Sequence, residues 1–116
     1  MESIVHGISN RRELETDEKC IILRDTKSDK IVKIPMHIWI MLSRKFSKIE
    51  KAIDNEKNCF VHLDDGWCVS VWRPFVCVNI RRYYFASNGG LCPSRLGMSF
   101  KPSEWVALTS IADSLH

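Results

Sequence analysis

Trp67-Cys68-Val69-Ser70-Val71-Trp72-Arg73-Pro74-Phe75-Val76-Cys77-Val78-Asn79-Ile80-Arg81-Arg82-Tyr83-Tyr84 is the stretch whose reading decides the fold. From Trp67 to Trp72 the side chains alternate, with Trp67, Val69 and Val71 on one face and Cys68, Ser70 and Trp72 on the other. Arg73-Pro74 closes that run, because proline cannot donate to a sheet ladder. Alternation resumes from Phe75 to Tyr84: Val76, Val78 and Ile80 form the apolar side, and Phe75, Cys77, Asn79, Arg81 and Tyr83 share the other. Two alternating runs joined by a short connection predict a hairpin. Working outward, Cys59 to Leu63 is a short strand and Asp64-Asp65-Gly66 a turn. Ser87-Asn88-Gly89-Gly90 is a loop, and Leu96 to Phe100 a fourth, short strand. A helix follows, opened by Pro102, with Glu104 near its positive end and an apolar stripe of Trp105, Leu108, Ile111, Ala112 and Leu115.

The first half repeats this plan less clearly. Ile4-Val5-His6 matches Phe60-Val61-His62, while Cys20 to Leu23 and Ile31 to Ile34 are strand-like around a turn at Thr26-Lys27-Ser28-Asp29. Residues 10–30 mix charges of both signs, as solvated loops and faces do. Pro35 then opens one helix with the stripe Trp39, Leu42, Phe46, Ile49 and Ile53. Strand, proline, tryptophan and a leucine three residues on recur in both halves, the expected mark of an internal duplication. The domain reading is 1–56 as a degenerate half or accessory segment and 57–116 as the better-formed half.

The chain has 116 residues, 45% hydrophobic and 27% charged, ordinary values for one globular core. No apolar run approaches the ~20 residues that span a bilayer, so no membrane role is expected. Met1-Glu2-Ser3-Ile4 lacks the features of a secretory signal, which points to cytosol or nucleus. Five cysteines without a close pair are read as reduced thiols, with no metal and no cofactor implied. No paired carboxylate, nucleophile–base pair or phosphate loop stands in the basic half, so no enzyme is expected. The net charge of +3 is unevenly spread: from Gly66 to Ser103 there is no Asp or Glu, yet five cations and seven aromatic rings. Charge for phosphates and rings for bases is the combination a nucleic-acid surface needs. A sheet core with arginines on its wet face is the alternative that composition leaves open.

Residues 68–108 resemble the single-strand-binding domain of the transcriptional coactivator positive cofactor 4. The resemblance rests on Val69-Ser70-Val71, Val78-Asn79-Ile80-Arg81-Arg82-Tyr83-Tyr84, Pro93-Ser94-Arg95-Leu96-Gly97-Met98-Ser99-Phe100, Pro102-Ser103-Glu104-Trp105 and Leu108, in that order. It extends over residues ~59–116, with a second, degenerate copy expected in ~3–54. It implies an α+β fold of curved antiparallel sheets, each a ββββα unit ending in a helix, as a homodimer or an internal pseudo-dimer. In that family the paired sheets hold two antiparallel single strands. Arg81 stands at the family's strand-motif arginine, Tyr84 at its base-stacking tryptophan, and Arg95 at the first of two basic residues before Gly97. Trp72 replaces an arginine, and Leu96 the second basic residue.

The function expected is sequence-tolerant binding of single-stranded DNA, with RNA or melted duplex as further candidates, in nuclear transcription or in replication and repair. Docking of acidic transcription factors is the alternative. The expected contacts are Trp72, Arg73, Phe75, Asn79 and Arg81 from the hairpin's first part. Arg82, Tyr83, Tyr84, Arg95 and Lys101 complete the set. By alternation Arg82 and Tyr84 fall on the valine side, so a bulge or a strand end is expected to turn them out. Trp39, Leu42, Phe46, Trp105, Leu108 and Ile111 are expected to pack the halves, or two chains, together.

Overall fold

The computed structural model describes residues 4–73 and 76–114. Two four-stranded antiparallel meanders follow one another along the chain. The first comprises β1 (Ile4–Gly7), β2 (Arg12–Thr16), β3 (Cys20–Asp25) and β4 (Lys30–Pro35), followed by α1 (Met36–Ser43) and α2 (Phe46–Asp54). The second comprises β5 (Cys59–His62), β6 (Trp67–Trp72), β7 (Cys77–Phe85) and β8 (Leu91–Phe100), followed by α3 (Pro102–Ser114). The architecture is the expected α+β arrangement of two four-stranded antiparallel units, the first closed by two short helices and the second by one.

One core joins the two sheets and the three helices. Rows of paired residues face it: His6, Leu14, Leu23 and Val32 from the first sheet, and Val61, Val69, Ile80 and Met98 from the second. From the helices come Trp39, Leu42, Phe46, Trp105 and Leu108, all buried, with Ile111 partly so. Phe46 meets Trp105 edge-on at 5.3 Å between ring centres, so a first-half helix packs directly on a second-half helix. Polar ties run alongside. Arg12 Nη1 donates to the Ser99 carbonyl at 2.7 Å, with its guanidinium 5.3 Å from the Phe100 ring, and Ser9 Oγ donates to Glu104 Oε2 at 2.8 Å.

Three departures from the sequence reading have physical causes. Residues 12–16, read as solvated, form β2 in the interior of the first sheet: Leu14 is its one fully buried residue, and Glu13 and Glu15 face out against Arg24. The expected single helix after Pro35 breaks at Arg44-Lys45. Ser43 Oγ donates back to the Trp39 carbonyl at 2.9 Å and the Lys45 N–H bonds Leu42, three residues back, which tightens and turns the chain. The likeness of Ile4-Val5-His6 to Phe60-Val61-His62 is one residue out of step. With Ile34-Trp39-Leu42 laid on Phe100-Trp105-Leu108, the strand pairings set Val5, not Ile4, where Phe60 stands. In a sheet a one-residue slip exchanges faces, so this step decides which residues are comparable.

Candidate nucleic-acid interface

The second sheet turns one face to the helices and the other outward. Register builds the outer face in rows: Phe60, Ser70, Asn79 and Ser99 lie across the strands, then His62, Cys68, Arg81 and Gly97. Three rings meet over this face. Phe60 stands 6.5 Å from Trp72 and 5.6 Å from Tyr83 between ring centres. The Trp72 indole N–H donates to Ser70 Oγ at 2.9 Å, which draws the ring back over the sheet. Cys68 and Ser70 are buried although they face outward, because larger neighbours lie across them; burial also raises the Cys68 thiol pKa. Phe60 and Trp72 nevertheless keep 43% and 45% of their surface in water, enough for a base to stack on.

Arg81 lies beside the rings, directly above Gly97. A Cβ at Gly97 would sit 2.7 Å from Arg81 Cγ, so the glycine is what seats the arginine against the sheet. Arg81 Nη1 donates to the Ser94 carbonyl at 2.8 Å, and no ion pair involves Arg81 among the described residues. Lys30, at the start of the first half's edge strand β4, approaches the same region. Burial lowers its pKa, and the positive charges of Arg81 and Arg12 lower it further. Arg12 is neutralised by buried Asp25. Burial alone would raise that carboxyl, but N–H groups of Ser28 and Lys27 with Arg11 and Arg12 hold it far below the usual range. Lys30 and Arg81, one from each half, thus lie near enough for one charge to act on the other, and neither makes an ion pair among the described residues.

The remaining expected contacts divide. Asn79 lies on the outer face, its Oδ1 accepting from Ser99 Oγ. Arg95 is exposed, and Leu96, packed on the core, sets it by alternation on the outward side. Lys101 is exposed beside a crevice of about 350 Å³ that also takes in Arg11, Arg12, Ser99 and Glu104. Arg73 is diverted: its guanidinium donates to the Ile53 carbonyl near the end of α2 at 3.3 Å and its N–H to Asn58 Oδ1. Phe75 lies outside the described residues. The bulge expected near Arg82 exists, but its two extra residues are in β8, between the pairs Arg81–Gly97 and Tyr83–Pro93. It leaves the alternation of β7 intact. Tyr83 stays outward, while Arg82 stands opposite Trp67 and Tyr84 opposite Cys92 on the helix side. Both are exposed because the hairpin runs past the core, not because they join the outer rings. Trp39, Leu42, Phe46, Trp105, Leu108 and Ile111 come together within this one chain.

Phe60 and Lys30 were not singled out by sequence. Phe60 carried a signal, alternation against Cys59 and Val61, but the ring's neighbours depend on the β5–β6 register. Lys30 carried none. His37, Asp64 and Asp65 bring ligand atoms within 4.8 Å of one another, all exposed, with His37 Nε2 3.0 Å from Asp65 Oδ2.

An acid-free strand pair bearing Arg81 above Gly97, followed by a loop, a long strand and a proline-opened helix, is the arrangement against which known families can be compared. Residues 67–111 match the family model of the transcriptional coactivator p15 (PC4). The match begins at the first residue of β6 and ends in α3, so it covers most of the PC4-like half and less than half of the chain. No curated protein and no solved structure matches the chain. At the level of the family, the PC4 match points to transcription and DNA binding, not to catalysis.

Proposed function

We propose that the protein binds single-stranded DNA with little sequence preference, on the outer face of its second sheet, as a nuclear transcription cofactor. The observation that carries this reading is the acid-free outer face where Phe60, Trp72 and Tyr83 adjoin an arginine that has no acidic partner among the described residues. Arg81, Arg95, Lys30 and Lys101 neutralise phosphates, and the rings stack on bases. Asn79 adds a polar contact, and Arg82 and Tyr84 serve at the hairpin's end. Residues 1–56 act as a degenerate copy of residues 57–116, and the shared core lets one chain do what pairing of two would otherwise do. The family match supports the transcriptional role.

The test is tryptophan fluorescence of the intact chain titrated with oligothymidylate across a salt series. Quenching with an affinity that falls steeply with salt is expected. Arg81→Gln with Arg95→Gln should flatten the log–log salt slope by about 1.4, at ~0.7 per phosphate contact for single strands. Trp72→Ala or Phe60→Ala should each cost about 1–3 kcal/mol of binding. Duplex and RNA of matched length rank the ligands. Absence of binding at low ionic strength, or capture of an acidic peptide in place of oligonucleotide, refutes the reading.

A further inference from the structure

The two sheets share a layout but not a chemistry, and the strand registers allow position-by-position comparison. Arg24 stands in the first sheet where Arg81 stands in the second, Glu13 where Cys68 stands, Glu15 where Ser70 stands, and Ile31 where Gly97 stands. Arg81 has no acidic partner among the described residues, whereas Arg24 Nη1 lies 3.3 Å from Glu15 Oε1 and 3.7 Å from Glu13 Oε2. A phosphate reaching Arg24 would have to displace two carboxylates and then bear their repulsion. Stacking fails independently. Val5 occupies the place of Phe60, and no Phe, Tyr or Trp precedes Trp39 in the chain. With Lys33 the outer face of the first sheet balances two acids against two bases, and it offers aliphatic side chains in place of rings.

We infer that the chain carries one nucleic-acid face, not two, and that each chain holds a single strand, the first sheet's outer face being closed to nucleic acid by the Glu13–Arg24–Glu15 ion pairs and the lack of rings. This rests on the reading that the second sheet binds single strands. It makes the protein a holder of one strand, without the means to clasp two strands side by side on one molecule. The first half then serves the site through Lys30 and through the shared core, not as a second platform.

The experiment is native mass spectrometry of the intact chain saturated with a short oligothymidylate, joined to salt-dependent affinities of Arg24→Gln and Arg81→Gln. The two substitutions remove the same net charge, so a general charge effect cancels between them. One oligonucleotide per chain is expected. Arg81→Gln should lower the salt slope by about 0.7, and Arg24→Gln should leave affinity and slope unchanged. Two oligonucleotides per chain, or an Arg24→Gln effect equal to that of Arg81→Gln, overturns the inference while leaving strand binding intact. No oligonucleotide bound overturns strand binding itself, and this inference with it. Should Arg24→Gln fail to fold, the stoichiometry of the unaltered chain still decides.

Discussion

Truncating Trp105 asks whether the two halves are one cooperative unit. Its side chain is fully buried, and Phe46 from the other half stands edge-on to it at 5.3 Å. Large aromatic truncations in cores cost about 3–5 kcal/mol. Unfolding entropy of about 2.1 cal/mol/K per residue gives roughly 0.24 kcal/mol/K for 116 residues. A loss of about 4 kcal/mol therefore lowers the midpoint by roughly 17 °C. Because the core is continuous, the whole transition should move as one, seen alike by near-ultraviolet and far-ultraviolet circular dichroism during heating. Phe46→Ala should act similarly. The double variant should fall short of additivity by about 0.5–1.5 kcal/mol, the share attributable to the edge-on pair. Two separate transitions in Trp105→Ala, with the first-half signal unmoved, would refute the single shared core. Strict additivity would refute direct contact between the rings.

Other outcomes follow from single residues. Gly97→Val places a branched side chain where Arg81 now lies, so strand binding should weaken to the level of Arg81→Gln, as read by the same oligonucleotide titration. Asp25 has a folded-state pKa depressed below its unfolded value, so its stabilisation is complete above about pH 4 and fades as pH falls from there. Asp25→Asn should accordingly lose stability at neutral pH and show a shallower acid limb in urea melts followed across pH. Cys68, buried and with its thiol pKa raised, should be the last cysteine alkylated by iodoacetamide in the native protein. Early modification of Cys68 by mass spectrometric mapping would contradict the covered outer face.

What sequence alone determined was whatever repeats locally. Alternation from Trp67 to Ile80 set the faces of β6 and β7, and the proline–tryptophan–leucine spacing marked where a helix opens in each half and the twofold plan. Those signals live within one element, where side-chain period and backbone geometry are the same information. The rest depended on partners distant in the chain. Strand β2 hid behind Glu13 and Glu15, because its charges make sense only once Arg24 is its neighbour. Phe60 gained its meaning from Trp72 and Tyr83, and Lys30 from Arg81 across the two halves. Arg73 looked like a free cation until α2 supplied its acceptor, and because the bulge fell in β8, the unbroken alternation of β7 kept Arg82 and Tyr84 on the helix side. Register and charge pairing are properties of two segments at once. No reading along a single segment contains them, and only the folded chain chose which sheet kept its cations free.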